Sequence, residues 1–285
     1  MPMASATASE HSGRLAHTEA LRAALAARAD QPPPADWLPV VVGGQVVGTT
    51  SPEIAGFLRG ASESFGLRDG RLVLDDAGLD ADRRSALLAG PARALHEAGL
   101  VRGWRGEVLP VRTPADPTPI AFVERAACRA LGITTTAVHL CAFAAGGDLI
   151  VARRAAHKQI DPGCWDTLVG GMVAAGESEE QTLAREALEE AGLDLAPLAP
   201  VRGSRLHVRR CVPEGYQSEI VQVFDALIPQ GTRLANRDGE VAAIARRDPQ
   251  SVLAAIAAGQ FTLEAALATL DALARRCRGR LEDPC

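Results

Sequence analysis

Long apolar runs are missing from this sequence, and no stretch of about 18 apolar residues is present to span a membrane. The start, Met1 to Arg14, has no charged segment leading into an apolar one, so it does not read as a signal peptide. It is rich in Ala, Ser and Thr, and disorder is expected there. Paired metal-binding cysteines are missing too. The six cysteines, Cys128, Cys141, Cys164, Cys211, Cys277 and Cys285, contain no C-x-x-C pair and fit no zinc or disulfide framework. They read as reduced thiols of a cytoplasmic protein, mostly small core residues. A basic surface is lacking: the formal net charge of -5 weighs against nonspecific nucleic-acid binding, which needs cations to displace counterions. It leaves room for a local basic pocket. Aromatic residues are scarce, at 4%, so Trp165 and Tyr216 are expected to pack in the protein rather than stack on a ligand. What is present is 285 residues, 47% of them hydrophobic and 23% charged, enough for one large domain or two modest ones.

Leu21, Ala24, Leu25 and Ala29 have helical spacing, which predicts a helix over Leu15 to Asp30, stopped by Pro32-Pro33-Pro34. Two β-rich runs around Gly43-Gly44 predict a hairpin. Pro52 to Leu58 predicts a short helix and Arg71 to Leu74 a strand. Asp80 to Ala98 predicts a helix broken or bent near Gly90-Pro91 and stopped at Gly99. Three prolines between Thr113 and Pro119 mark a domain boundary. This gives a small α+β domain over residues 15–115 and a second domain over 116–285. Ile120 to Leu131 predicts a helix ended by Gly132. Strands Ala137 to Ala144 and Asp148 to Arg154 flank Gly146-Gly147, and strands Leu206 to Arg210 and Ser218 to Ile228 flank Pro213-Glu214-Gly215. A short strand near Val241 and helices over Pro249 to Ala258 and Leu263 to Arg276 close the chain. The order predicts an α/β fold, a mixed sheet with helices packed on it.

The informative stretch is Gly171 to Leu193. Ser178 and Gln181 have capping-box spacing and Gly192 suits a left-handed cap, so one helix should run from Ser178 to Ala191. At about 100° per residue, Glu186, Glu189 and Glu190 share an arc of roughly 100°, with Leu183, Ala184, Ala187 and Leu188 on the other side. Acids spaced this way repel each other by a few tenths of a kcal/mol per pair. A hard divalent cation converts that repulsion into binding, and Mg²⁺ takes oxygen ligands together with substrate phosphates. Arg185 can pair with Glu177 or Glu189 and hold the cluster in place. A Glu-rich face can also be a merely solvated one.

The spacing discriminates between these readings. Gly171, Glu177, Arg185-Glu186, Glu189-Glu190 and Gly192, with an apolar residue at Ala187 and Leu193, resemble the Nudix box at every fixed position. Gly103-Trp104-Arg105, Val138-His139-Leu140, Arg153-Arg154 with Lys158, and Pro162-Gly163-Cys164-Trp165-Asp166 resemble a Nudix subgroup. Its extra N-terminal domain (DUF4743) also precedes thiamine pyrophosphokinase in fungal fusions. Relatives in plants and yeast cleave oxo- or oxythiamine diphosphate. After Leu140, Cys141-Ala142 stands where that subgroup carries Asn-Gly.

The resemblance implies an α/β/α sandwich around a mixed sheet, an Mg²⁺ or Mn²⁺ cofactor, and hydrolysis of a diphosphate-linked small molecule to a monophosphate. It implies metal ligation by Glu186, Glu189 and Glu190, with Glu190 foremost, and by the Gly171 carbonyl. Arg185 and Glu177 would be supports. The general base would be a box glutamate or a later carboxylate, of which Glu240, beside Gly239, is preferred over Glu219. Arg153, Arg154 and Lys158 flank the strand before the box and could grip phosphates. His139, His207 and Glu219 could contact substrate. Cys164 has no flanking base and reads as packing. The N-terminal domain is expected to shape the pocket or a dimer surface. Pyrophosphatase action on ADP-ribose or dinucleotide substrates, isopentenyl diphosphate isomerisation, and ligand binding without catalysis are the alternative readings.

Overall fold

The computed structural model describes residues 3–113 and 116–278. Helix α1 (Met3–Ala29) leads into hairpin β1 (Leu38–Val42) and β2 (Gln45–Thr50), then α2 (Pro52–Ala61), β3 (Phe65–Arg68), β4 (Arg71–Leu74) and α3 (Ala81–Glu97). The hairpin β5 (Val108–Thr113) and β6 (Asp116–Glu124) follows. Next come β7 (Thr134–Ala144), β8 (Leu149–Arg154), β9 (Trp165–Asp166), β10 (Val169–Met172) and α4 (Glu179–Ala191). The chain continues through β11 (Val201–Val212), β12 (Gly215–Ile228), β13 (Val241–Arg247), α5 (Pro249–Ala257) and α6 (Leu263–Cys277). No helix among the described residues is long and apolar enough to cross a membrane.

The large sheet has the order β11-β12-β7-β8-β13, with β10 paired to β7 and β9 to β8. It is mixed: β12 runs parallel to β7, and the other pairs are antiparallel. Period-two alternation along β7 divides the core into two layers. Val138, Leu140 and Ala142 pack with Leu183, Ala187 and Ala191 of α4 on one face. Cys141 and Phe143 pack with Leu253 of α5 and Leu270 and Leu273 of α6 on the other. This is the expected α/β/α sandwich, and each fully buried leucine in it contributes roughly 2 kcal/mol.

The N-terminal part has its own sheet, ordered β2-β1-β4-β3. Its core does not stop at the expected boundary. Leu58, Leu72 and Leu95 share one cluster with Leu109, Val123, Leu131 and Ile133. The proline-rich stretch from Thr113 to Pro119 is the tip of hairpin β5–β6 rather than a linker, and residues 114 and 115, at the boundary itself, lie outside the described residues.

Five further expectations are corrected. Ile120 to Leu131 is not a helix: Ile120 to Glu124 belongs to β6, and a single 3₁₀ turn covers Arg125–Ala127. Alternation wins there because Ala121 and Val123 face the core while pairing with β5. Helix α1 is already helical at Met3, so the segment expected to be disordered is helical from that residue; alanine-rich sequence permits this. Its packing also departs from the domain scheme. Leu21 and Leu25 pack against the α5–α6 layer, and Arg22 pairs with Asp271 at 2.9 Å, so α1 covers the C-terminal sandwich. Cys277 carries a disulfide, while Cys128, Cys141, Cys164 and Cys211 are free thiols, so not all six cysteines are reduced. Helix α3 runs unbroken through Pro91 to Glu97, with the positive-φ Gly99 just past its cap, and β3 has no clear signal in the sequence.

The two parts meet backbone to backbone. A Cβ on Gly132, whose φ is +58°, would lie 2.2 Å from the Thr49 carbonyl oxygen, and one on Gly48 would lie 2.3 Å from that of Leu131. Neither contact can be relieved by turning a side chain. Gly132→Ala is therefore expected to cost about 3 kcal/mol or more in overpacking and left-handed strain. A urea unfolding midpoint equal to that of the unaltered protein would show that the close approach is not there.

Candidate active site

Helix α4 is built as its local sequence dictates. Ser178 Oγ accepts from the Gln181 N–H, Gln181 Oε1 accepts from the Ser178 N–H, and Gly192 closes the helix at φ 62°. Arg185 sits on the polar face as a hub. It donates to Glu177 at 2.9 and 3.0 Å, to Glu186 at 2.9 Å and to Glu189 at 3.2 Å. Thr182 completes the Glu177 carboxylate at 2.7 Å, and the two donors hold Glu177 below the usual carboxylate range, chiefly through Arg185.

The three box acids occupy different environments. Glu189 is half exposed. Glu186 is mostly buried against β10, and burial raises its carboxyl although Arg185 opposes the shift. Gly171 lies so close that a Cβ there would fall 2.2 Å from the Glu186 carboxyl carbon. Glu190 is 9% exposed and accepts the Gly170 N–H at 2.9 Å. Burial pushes its carboxyl well up, and the charges of Glu186, Asp166 and Asp238 add to that shift against the Gly170 hydrogen bond.

Oxygens of Glu190, Asp238 and Glu240 all lie within 4.8 Å of one another, the one such acid grouping among the described residues. All are hard oxygen donors, and Glu190 is an acid that burial disfavours as an anion. A divalent cation fits there on both counts. Glu186 and Glu189 are held by Arg185 and do not join this group. Asp238 was not singled out in the sequence; the turn Asn236-Arg237-Asp238-Gly239 carried no signal beyond the glycine.

Glu240 faces two ways. It also lines a cavity of about 360 Å³ whose walls include Arg105, Arg125, Arg129, His139, Arg154, Lys158, Gly170, Gly171 and Glu219. Arg105 donates to Glu240 at 2.7 Å, and Lys158, the single lysine of the chain, pairs with its other oxygen. Burial alone would raise the Glu240 carboxyl, but these two cations outweigh it and hold it at about 2. A carboxylate held that low is a weak base while both cations stay on it.

The remaining candidates separate by side-chain direction. Arg153 and Arg154 are consecutive on β8 and so point to opposite faces. Arg154 donates to Asp166 at 3.2 Å and lines the cavity, whereas Arg153 turns away to the Gly163 carbonyl and the Trp165 ring. His139 is buried in the cavity wall, with Nδ1 2.9 Å from Thr167 Oγ1. His207 pairs with Ser218 Oγ on the outer hairpin. Trp165 packs in the core under Arg247, and Tyr216 donates to the Gln31 carbonyl. The Cys164 thiol is raised by burial and does not line the cavity. The N-terminal part supplies Arg102, Trp104 and Arg105 to the wall.

An acid-bearing helix thus packs against a mixed sheet in an α/β/α sandwich, next to a cation-lined cavity. Residues 133–267 match the model of the NUDIX domain, and residues 21–135 match that of a domain of unknown function, DUF4743. The stretch similar to the NUDIX domain thus follows the stretch similar to DUF4743 along the chain. It is 26% identical over 215 residues to Nudix hydrolase 24, chloroplastic, of Arabidopsis thaliana, covering 72% of this chain and 58% of the relative. To Nudix hydrolase 20, chloroplastic, of the same plant it is 27% identical over 223 residues, covering 72% and 59%. It therefore spans under two thirds of the length of either. Isopentenyl-diphosphate Delta-isomerase of Klebsiella pneumoniae (strain 342) is 28% identical over 142 residues, covering 49% of this chain and 76% of that enzyme.

Proposed function

We propose that the chain hydrolyses the phosphoric anhydride of a diphosphate-linked small molecule in the presence of Mg²⁺ or Mn²⁺, releasing a monophosphate. The observation that carries this reading is the placement of Glu240. One carboxylate belongs both to an acid group suited to a cation and to the wall of a cavity lined with cations.

Glu190, Asp238 and Glu240 would hold the metal, with Glu186 and the Gly171 backbone beside them. When bound, the ion supplies neutralisation and polarisation of the phosphoryl oxygens. The chain's own residues do the rest. Arg105, Lys158 and Arg154 bind the diphosphate oxygens as charge-assisted donors. As Arg105 and Lys158 turn to the substrate, Glu240 loses the partners that hold it at about 2, and the carboxylate oxygen that does not face the cation is free to accept a proton. It then takes a proton from the attacking water. The water oxygen bonds to phosphorus, the anhydride P–O bond breaks, and its electron pair leaves with the departing phosphate. Arg185 keeps Glu186 and Glu189 aligned throughout.

Thiamine diphosphate analogues are the finer substrate reading, supported by the resemblance of the N-terminal motifs; ADP-ribose and dinucleotides are the alternative. Isomerisation is not favoured, because Cys164 lies off the cavity with a raised thiol. The test is product analysis with purified protein, with and without Mg²⁺: phosphate from oxidised thiamine diphosphate and isopentenyl diphosphate, AMP from ADP-ribose, and mononucleotides from diadenosine compounds. Metal-stimulated cleavage of one of these is expected. Ligand binding with no cleavage of any member would leave a non-catalytic role in its place.

A further inference from the structure

The cavity has a second end that the reaction above does not use. Gly170 stands opposite His139 on β7, and Glu219 stands opposite Thr135 on the same strand. They lie four positions apart along β7 and on opposite sides of it, about 13 Å along the strand and about 10 Å across, roughly 16 Å in all. At that end Glu219 on β12 and Glu264 in the first turn of α6 both line the cavity and both are buried, at 5% and 8% exposure.

The two acids differ in what satisfies them. Glu264 accepts from Gln217 Nε2 at 2.6 Å, faces Arg210 at 3.8 Å and sits at a helix N-terminus, where the dipole favours a negative charge. Glu219 has one long contact, 3.4 Å from Thr135 Oγ1 to Oε2, and among the described residues no donor reaches Oε1. The cations that lower its carboxyl, Arg129 and Arg125, are committed to Glu214 at 3.8 Å and Glu107 at 2.9 Å. Burial, and then the charge of Glu264, push Glu219 up to about 7. An unpaired carboxyl in the interior is costly to a fold. Its cavity-facing position means that a ligand can supply the missing donor.

We infer that this end of the cavity is a subsite for a nitrogen-bearing head group, a protonated amine or an N–H-bearing cationic heterocycle, held by Glu219 while the diphosphate lies at the Gly170–Lys158 end. The placement of the diphosphate rests on the proposed reaction. The two ends then act as a ruler: a cationic head joined to a diphosphate by a spacer of that length satisfies both. A neutral hydrocarbon head leaves Glu219 unpaired, and a site built to pair a polar group rejects an analogue that lacks it.

The probes are a matched pair, the α,β-methylene analogues of 6-aminohexyl diphosphate and n-hexyl diphosphate. Neither can be cleaved at the bridge, so calorimetry with Mg²⁺ reads binding without turnover. The amine is expected to bind at least about ten-fold more tightly, and Glu219→Gln to lose most of that preference while its affinity for the hexyl compound changes less than about two-fold. Glu219→Leu should show the same loss and also unfold a few degrees (about 2–5 °C) higher, since it removes an uncompensated acid; a structural role would lower that midpoint. Equal affinities, a preference that survives in Glu219→Gln, or no binding of either probe overturns the subsite. Cleavage of a member of the substrate panel without amine preference sinks the subsite alone. Amine preference without cleavage of any member sinks the hydrolysis and leaves the subsite standing.

Discussion

Glu190→Gln is expected to lower metal-dependent phosphate release by about a thousand-fold, corresponding to roughly 4 kcal/mol of lost transition-state stabilisation. The substitution is nearly isosteric. The glutamine carbonyl can still accept the Gly170 N–H, so the 2.9 Å bond that fixes the side chain against β10 is kept. What disappears is one of the three acids in the group with Asp238 and Glu240. The same change should leave the metal-free protein as stable as before or more so, because burial already disfavours the Glu190 anion. Loss of activity with retained or increased stability is the signature of a carboxylate kept for ion binding. Turnover within about ten-fold of the unaltered enzyme would remove Glu190 from the metal site.

Gly171→Ala should separate geometry from folding. The backbone there is open to L residues, since its φ lies outside the left-handed range, but a Cβ would overlap the Glu186 carboxyl group. That group is the far end of a flexible side chain, so it can swing aside at small cost to the fold. Gly132 differs, because its neighbour is the Thr49 backbone. The expected outcome is a thermal midpoint within a few degrees (about 3 °C) of the parent and phosphate release reduced about 100-fold, the scale on which a displacement near 1 Å affects a reacting site. A variant that keeps full activity would show that the position of Glu186 does not matter to the reaction. A variant that unfolds would show that β10 cannot spare the space.

Helix α4 was legible because its information is local. The cap residues Ser178, Gln181 and Gly192 and the period that buries Leu183 and Ala187 all lie within one short stretch, and each acts through its near neighbours; Ala184 and Leu188, expected to face the core with them, are exposed, because the sheet covers a narrower arc of the helix that takes in Glu190 instead. The hairpin turns at Gly43-Gly44 and Gly146-Gly147 were legible for the same reason. The apolar run from Ile120 satisfies both the helical and the strand period, and pairing with β5, a tertiary partner, decides between them.

Local information specifies the acid helix, its caps, the Arg185 hub and the alternating strands that receive it, since helix and strand periods follow from backbone geometry alone. Which acids share a site is a matter of packing, which brings Asp238 and Glu240 to Glu190. Packing also turns Arg154 inward and Arg153 outward, carries Arg105 from the preceding domain onto Glu240, and sets Glu219 beside Glu264 at the cavity's other end. The pairings of Glu190, Arg105 and Glu219 join residues tens of positions apart or more. No local period encodes these three, because they arise where separate elements pack and the burial of one charge depends on which others the fold has carried to its side.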